Sequence, residues 1–279
     1  MKTFFIRILF LIVTMSLLIS CGVRNKPTEN RYVVLSPEIA EILGYLGLED
    51  RIVGRTVECD YPKSLYGIDI VGNFGQISLE RVVGLNPSII FASALEHDEI
   101  TTQLNRLNKR VYQFYPHNTL ELMDIIMMIG ILTDKEERAK ELVYRMSARF
   151  SEFYQLAQQR ENKPRVFVEI YGNPIMSVSN ASYVGQLLVY AGAENIFPVL
   201  PRDYSRVNAE DVVNLNPDVI ILTYPGISAE DVRNRRGWSG INAVINNRIY
   251  TVEDVNPDLI LRAGPRMVQG IERLIEVLY

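Results

Sequence analysis

An internal repeat restricts the fold more than any other feature of the chain. Ile77-Ser-Leu-Glu-Arg-Val-Val-Gly-Leu-Asn-Pro-Ser-Ile-Ile90 returns as Val207-Asn-Ala-Glu-Asp-Val-Val-Asn-Leu-Asn-Pro-Asp-Val-Ile220, an offset of 130 residues. A weaker echo at an offset of 145 pairs Gly44-Tyr-Leu-Gly-Leu-Glu-Asp-Arg-Ile52 with Val189-Tyr-Ala-Gly-Ala-Glu-Asn-Ile-Phe197. Two units of one design predict two lobes. In each copy a polar residue, Ser78 or Asn208, occupies the helix N-cap position and Asn-Pro stops the helix before an apolar run. Each lobe therefore presents strand-helix-strand.

Apolar runs rich in β-branched residues alternate with helical patterns: Tyr32-Val-Val-Leu35, Ile89-Ile-Phe-Ala92, Val111-Tyr-Gln-Phe114, Val166-Phe-Val-Glu-Ile170, Val219-Ile-Ile-Leu222 and Ile249-Tyr-Thr-Val252. That alternation is the pattern of βαβ units. Between the lobes, Ala139, Leu142, Val143, Met146, Phe150, Phe153 and Ala157 keep helical spacing, and Thr133-Asp134-Lys135-Glu136 reads as a helix start. A rod from Asp134 to Asn162 would be about 40 Å long at about 1.5 Å per residue. Such a link is stiffer than a loop and predicts a cleft between lobes held at nearly constant separation, with small motions on ligand entry. The expected fold class is α/β: two Rossmann-like lobes with central β-sheets (31–118 and 163–279) joined by a single long backbone α-helix within a linking segment, 119–162.

Lys2 and Arg7 precede an apolar run from Ile8 to Ile19, shorter than the roughly 20 residues a spanning helix needs, so 1–20 read as an export signal. Leu18-Ile19-Ser20-Cys21-Gly22 resembles the bacterial lipobox, which implies that Cys21 carries the lipid and that 21–30 tether the protein to the membrane. Cys59 is the only other cysteine, so no intramolecular disulfide is expected and the core alone must hold the fold. Loss of Lys2 and Arg7 moves the formal charge from -4 to -6, which disfavours nucleic acid as a partner.

Several side chains have chemistry to offer. Glu80 and Glu210 sit two positions after their N-caps, where a carboxylate favours the helix by about 0.3–1 kcal/mol. Thr56-Val-Glu-Cys-Asp-Tyr-Pro62 follows a predicted strand at the edge where α/β folds place ligands; Glu58 faces a cleft there, and Tyr61 either faces it or packs the loop. Phe74, Tyr115, Tyr171, Tyr204 and Tyr224, at predicted strand ends and loops, offer flat surfaces. Cys59 is either a soft metal ligand or a buried packing residue. Glu96-His97-Asp98 has metal-binding residue types, but adjacent side chains diverge and His117 is the only other histidine, short of a zinc ligand set. His97 is read as a polar cleft or surface residue, or as an axial ligand of a bound chelate. Arg202, Arg206, Arg262 and Arg266 form either a basic lining for anionic ligands or surface pairs with Asp203 or Glu253. The chain has neither a Gly-rich phosphate loop before a lysine nor a Gly-x-Ser-x-Gly turn.

Leu35-Ser-Pro-Glu38, Cys59-Asp-Tyr-Pro62, Gly72-Asn-Phe-Gly75, the two Glu-bearing repeats, Gly192-Ala-Glu-Asn-Ile-Phe197 and Gly264-Pro-Arg266 resemble the helical-backbone (class III) substrate-binding proteins of metal-chelate ABC importers. The likeness spans Tyr32 to Tyr279 and is nearest the vitamin B12-binding branch. It implies a monomeric, non-enzymatic capture protein, periplasmic or outward-facing, that has no cofactor of its own. Its cargo would be cobalamin or another corrinoid, delivered to permease and ATPase subunits. The implied ligand contacts are Glu58, Phe74, Tyr171, Tyr204 and, from the segment Asp258 to Arg262, its ends; Tyr61 and Glu96 are expected to join them, and Glu80 and Glu210 would dock on permease arginines. Where that branch tends to carry tryptophan, this chain has Phe74 and Tyr204. The same scaffold also carries haem and iron siderophores, which remain the alternative cargo. A metal-dependent enzyme using Glu96, His97 and Asp98 is the rival from another class.

Overall fold

Residues 30–279 are described by the computed structural model of the protein, and Arg31–Tyr279 form one compact unit. The expected export signal, Cys21 and nearly all of the expected tether lie outside the described residues. The strands of the first lobe are β1 (Tyr32–Val34), β2 (Ile52–Thr56), β3 (Ile70–Asn73), β4 (Gln76–Ile77), β5 (Ile89–Ser93) and β6 (Val111–Phe114). They form one six-stranded sheet in the order β4-β3-β2-β1-β5-β6. The second lobe follows with β7 (Arg165–Glu169), β8 (Tyr171–Gly172), β9 (Ile175–Val178), β10 (Glu194–Asn195), β11 (Tyr204–Arg206), β12 (Val219–Leu222) and β13 (Ile249–Tyr250). These make a sheet ordered β10-β7-β12-β13 and a separate sheet ordered β11-β9-β8.

The sequence repeat has a topological counterpart. β1 runs parallel to β2 on one side and β5 on the other, and β5 runs parallel to β6. β7 lies in the same way between β10 and β12, and β12 pairs in parallel with β13. The repeated helices, Leu79–Gly84 and Ala209–Leu215, lead into the equivalent central strands β5 and β12. Each helix is followed by an asparagine in left-handed backbone, Asn86 at φ 47° and Asn216 at φ 44°. Asparagine tolerates that conformation better than most residues, and the following proline prevents the helix from continuing.

Strand residues point alternately to opposite faces, and here each face has its own core. Tyr32, Val34, Ile89, Phe91, Val166, Val168, Val219 and Ile221 belong to one hydrophobic cluster that includes both lobes. Their neighbours Val33, Leu35, Ile90 and Ala92 pack in a second cluster, and Phe167, Ile220 and Leu222 in a third. The outer faces are thus covered lobe by lobe, while the inner faces share a single core.

Two antiparallel helices complete that shared core. Thr119–Leu132 is apolar almost all round and is capped by Asn118, which accepts from the Glu121 amide at 2.9 Å. Asp134, at φ 58°, breaks the chain before the backbone helix Glu136–Gln158 begins. The backbone helix has 23 residues and is therefore about 35 Å long. Close packing of the pair depends on Gly130, where an added Cβ would stand 2.4 Å from the Ala139 Cβ. Ala139, Leu142, Met146, Phe150, Phe153 and Ala157 are the buried stripe of the backbone helix, with Val143 packed beside it. Fully burying a leucine, methionine or phenylalanine contributes about 1.5–3 kcal/mol, so this stripe outweighs the exposed ion pairs on the opposite face. At the helix's start, Arg138 donates to the Leu46 carbonyl of the first lobe at 2.9 Å. Farther along, Phe150 stacks on Tyr190 at 5.2 Å and Arg149 pairs with Glu272 at 2.6 Å in the second lobe. One rigid element therefore grips both lobes.

Candidate functional site

The carboxyl ends of both parallel sheets open on a cleft of about 500 Å³. The first lobe supplies Glu38, from the first turn of helix Pro37–Tyr45, and Glu58, from the loop after β2. Phe74 comes from the β3–β4 turn, Leu95 from the loop after β5, and Tyr115 from the segment after β6. The second lobe answers with Ile170, Tyr183, Tyr204 and the run Leu261-Arg262-Ala263. This is the edge at which parallel α/β sheets bind ligands, because successive loops converge there.

Of the eight ligand contacts expected from sequence, Glu58, Phe74, Tyr204 and Arg262 line the cleft. The other four are placed elsewhere. Tyr61 lies beneath the Arg266 guanidinium, 4.1 Å from its ring centroid. Glu96 is exposed to solvent. Tyr171, 52% exposed, packs beside Tyr224 with ring centroids 6.1 Å apart. Asp258 holds Arg262 at 3.0 Å. Glu38 and Tyr183 line the cleft without having been singled out as contacts. A signal for Glu38 existed in Ser-Pro-Glu38, the start of a helix directly after a predicted strand; Tyr183 had none.

His97 is not an exposed residue. Only 2% exposed, it accepts from the Ser93 amide at Nδ1 (3.0 Å) and donates from Nε2 to the Phe74 carbonyl (2.9 Å), with the two rings 5.0 Å apart. One ring nitrogen is spent on the Phe74 turn and the other on the end of β5 at Ser93, and burial lowers the imidazole pKa so that the neutral ring is favoured. Asp98 instead accepts from Gln113 Nε2 at 2.9 Å, so Glu96-His97-Asp98 does not converge on one point. Cys59 is fully buried beside Thr56 Oγ1 at 3.3 Å, and burial pushes its thiol up to about 12. A buried, protonated thiol is a packing residue, and the soft-ligand reading is set aside. Among the described residues no cluster of three or more His, Cys, Asp or Glu is placed to hold a metal.

Arg262 and Arg266 form ion pairs between the lobes rather than surface pairs with Asp203 or Glu253. Arg262 binds Asp60 of the first lobe at 2.7 Å as well as Asp258. Arg266 binds Glu41, fully buried in the first lobe, at 2.5 Å. These contacts join the lobes at the edge of the cleft. Burial raises the Glu41 carboxyl pKa despite Arg266, and Glu41 Oε2 has no hydrogen-bond partner among the described residues. Arg202 and Arg206 are exposed.

Tyrosine hydroxyls stand on both walls, Tyr115 on the first and Tyr183 and Tyr204 on the second. Burial raises the Tyr115 and Tyr204 pKa values and lifts Tyr183 well above the ordinary phenol value, so all three stay protonated. Tyr224 serves structure: its hydroxyl donates to Glu169, which Arg235 grips through both carboxylate oxygens at 2.5 and 2.7 Å. Glu80 and Glu210 are exposed on the first turns of their repeat helices, outside the cleft. Glu210 borders a surface groove of about 530 Å³ with Asn214 and Arg236.

A sequence profile described as periplasmic binding protein matches residues 33–255. Over 261 residues the chain is 30% identical to an uncharacterized ABC transporter substrate-binding lipoprotein, YvrC, of Bacillus subtilis, covering 91% of this chain and 81% of the relative. It is 25% identical to the vitamin B12-binding protein of Vibrio parahaemolyticus, with 92% of each chain covered. It is 27% identical to the high-affinity heme uptake system protein IsdE of Staphylococcus aureus, with 88% of each covered. The crystal structure of a possible iron-binding (periplasmic solute-binding) protein from Staphylococcus epidermidis superposes with a TM-score of 0.79 at 28% identity, covering 90% of this chain and 98% of that one.

Proposed function

The chain belongs to the periplasmic binding protein family, and from that premise we propose that it captures a corrinoid, cobalamin first of all, between its lobes and delivers it unchanged to the permease of an ABC importer. The coarser role is that of an extracytoplasmic substrate-binding component working with permease and ATPase subunits. Among the described residues no helix is long and apolar enough to cross a membrane. Attachment through a lipid on Cys21 is part of the proposal.

The observation that carries the corrinoid reading is an aromatic-walled cleft with no histidine, cysteine or methionine among its described lining residues. Phe74, Tyr115 and Tyr204 offer flat faces that lose little rotamer freedom on binding. Haem takes axial ligands from histidine, cysteine, methionine or tyrosinate. Cys59 is a buried thiol and His97 has both nitrogens engaged, so neither offers an axial ligand to the cleft. Cobalamin brings its own axial ligands and needs none of these. Glu80 and Glu210, one exposed carboxylate on each lobe in equivalent helices, suit a pair of permease arginines.

Equilibrium titration with cyanocobalamin, haemin and ferric siderophores tests the assignment. One-to-one submicromolar binding of cyanocobalamin, tighter than that of the other two, is expected. Absence of submicromolar corrinoid binding ends it, and tighter haemin binding moves the cargo to haem, as in the Staphylococcus aureus relative. For docking, Glu80→Ala with Glu210→Ala should leave affinity intact and reduce uptake; unchanged uptake refutes it.

A further inference from the structure

The two walls of the cleft differ in charge. The first lobe contributes Glu38 and Glu58, while the only cation lining the cleft among the described residues, Arg262, comes from the second. That guanidinium is already bonded to Asp60 at 2.7 Å and to Asp258 at 3.0 Å, so it has no free charge to offer a ligand carboxylate. Glu58 Oε2 is buried with no hydrogen-bond partner among the described residues. Across the cleft, Tyr183 is 3% exposed and its hydroxyl has no partner of normal hydrogen-bond geometry. Burial holds the Glu38 carboxyl above its ordinary range, so a ligand that solvated it with N–H donors would be favoured.

We propose, on the basis of the corrinoid reading, that Glu38 and Glu58 form an acceptor edge that selects chelates bearing primary amides and rejects the same chelates once a facing amide becomes a carboxylate. An amide N–H directed at Glu58 Oε2 satisfies an acceptor otherwise left unpaired in a low-dielectric site. A carboxylate in that place meets like charge, or binds only after a proton is taken up; both weaken binding at neutral pH. Aromatic stacking is the same for either ligand, so selection falls on the periphery of the ring.

The test titrates the full chain with cyanocobalamin and with cyanocobalamin monocarboxylic acids, in which one side-chain amide has been hydrolysed. At least one monoacid is expected to bind about tenfold or more weakly. Glu38→Gln with Glu58→Gln should bring the ratio within about threefold while the fully amidated ligand still binds. Thermal unfolding checks that the double variant is folded; if it is not, Glu58→Gln alone carries the measurement. Affinity of the wild type for every monoacid equal to that for cyanocobalamin, or selection undiminished in the variant, overturns the proposal. Haemin and its diamide, measured alongside, separate the two claims. Loss of the corrinoid assignment appears as unbound cyanocobalamin with a surviving preference for the diamide, whereas equal or better binding of haemin over its diamide defeats the acceptor edge.

Discussion

The two lobes agree in their sheets and differ at their rims. β2-β1-β5-β6 and β10-β7-β12-β13 have the same order and direction, and each repeat helix ends on a left-handed asparagine before proline. At the cleft the resemblance stops: Glu38 and Glu58 stand on the first wall with Phe74 and Tyr115, while Tyr183, Tyr204 and the committed Arg262 stand on the second. The helix starts differ too, since Ser78 accepts from the Arg81 amide at 3.3 Å while Asn208 caps no amide and donates to Asp211 instead. What must pack against the shared core has kept its design, and what meets a ligand has diverged.

The largest expected effect comes from breaking the ionic bond between the lobes. Arg266→Met leaves buried Glu41 without its hydrogen-bonded partner, with Arg262 at 3.8 Å as the remaining cation, and should cost about 3–5 kcal/mol of unfolding free energy in urea titration. A loss below about 1 kcal/mol would mean that the pair does not hold the lobes together. Next comes one aromatic from each wall: Phe74→Ala and Tyr204→Ala should each weaken corrinoid binding about tenfold, or about 1.4 kcal/mol, by calorimetry. If only one matters, the ligand lies on a single lobe. The helix caps give a smaller, asymmetric pair. Ser78→Ala should cost about 1 kcal/mol and Asn208→Ala a few tenths, read from denaturation midpoints, because only Ser78 satisfies a backbone amide. Equal losses would show that the caps are equivalent after all. The smallest effect is a null one: Cys59, with a thiol near 12, should resist maleimide in the folded protein at neutral pH and react after unfolding, as followed by peptide mass mapping.

Much of the scaffold could be read from periodicity. Six apolar runs correspond to β1, β5, β6, β7, β12 and β13, and the helical spacing from Ala139 to Ala157 marks the buried stripe of the backbone helix. Both signals are local, because a strand or helix shows its buried face within a few residues. Asp134 was the exception: the left-handed residue that separates two helices looks, in sequence, like an ordinary helix start. Half of the cleft was visible for the same local reason, Phe74 and Tyr204 being aromatics at strand ends. The ionic contacts were not, since Arg262 and Asp60 lie 202 positions apart and Arg266 and Glu41 lie 225 apart. Nor was the role of His97, whose two bonds depend on how the β3–β4 turn folds over the loop after β5.

The central claim is that one core and one backbone helix hold both lobes, so that the ligand enters a cleft already formed. Spin labels at Asn105→Cys and Ser239→Cys, one on each lobe, measure it directly by pulsed electron–electron distance spectroscopy with and without cyanocobalamin. A change in the mean distance of less than about 3 Å is the predicted result. A ligand-induced shift of about 10 Å or more, as in a hinge-closing protein, would contradict it.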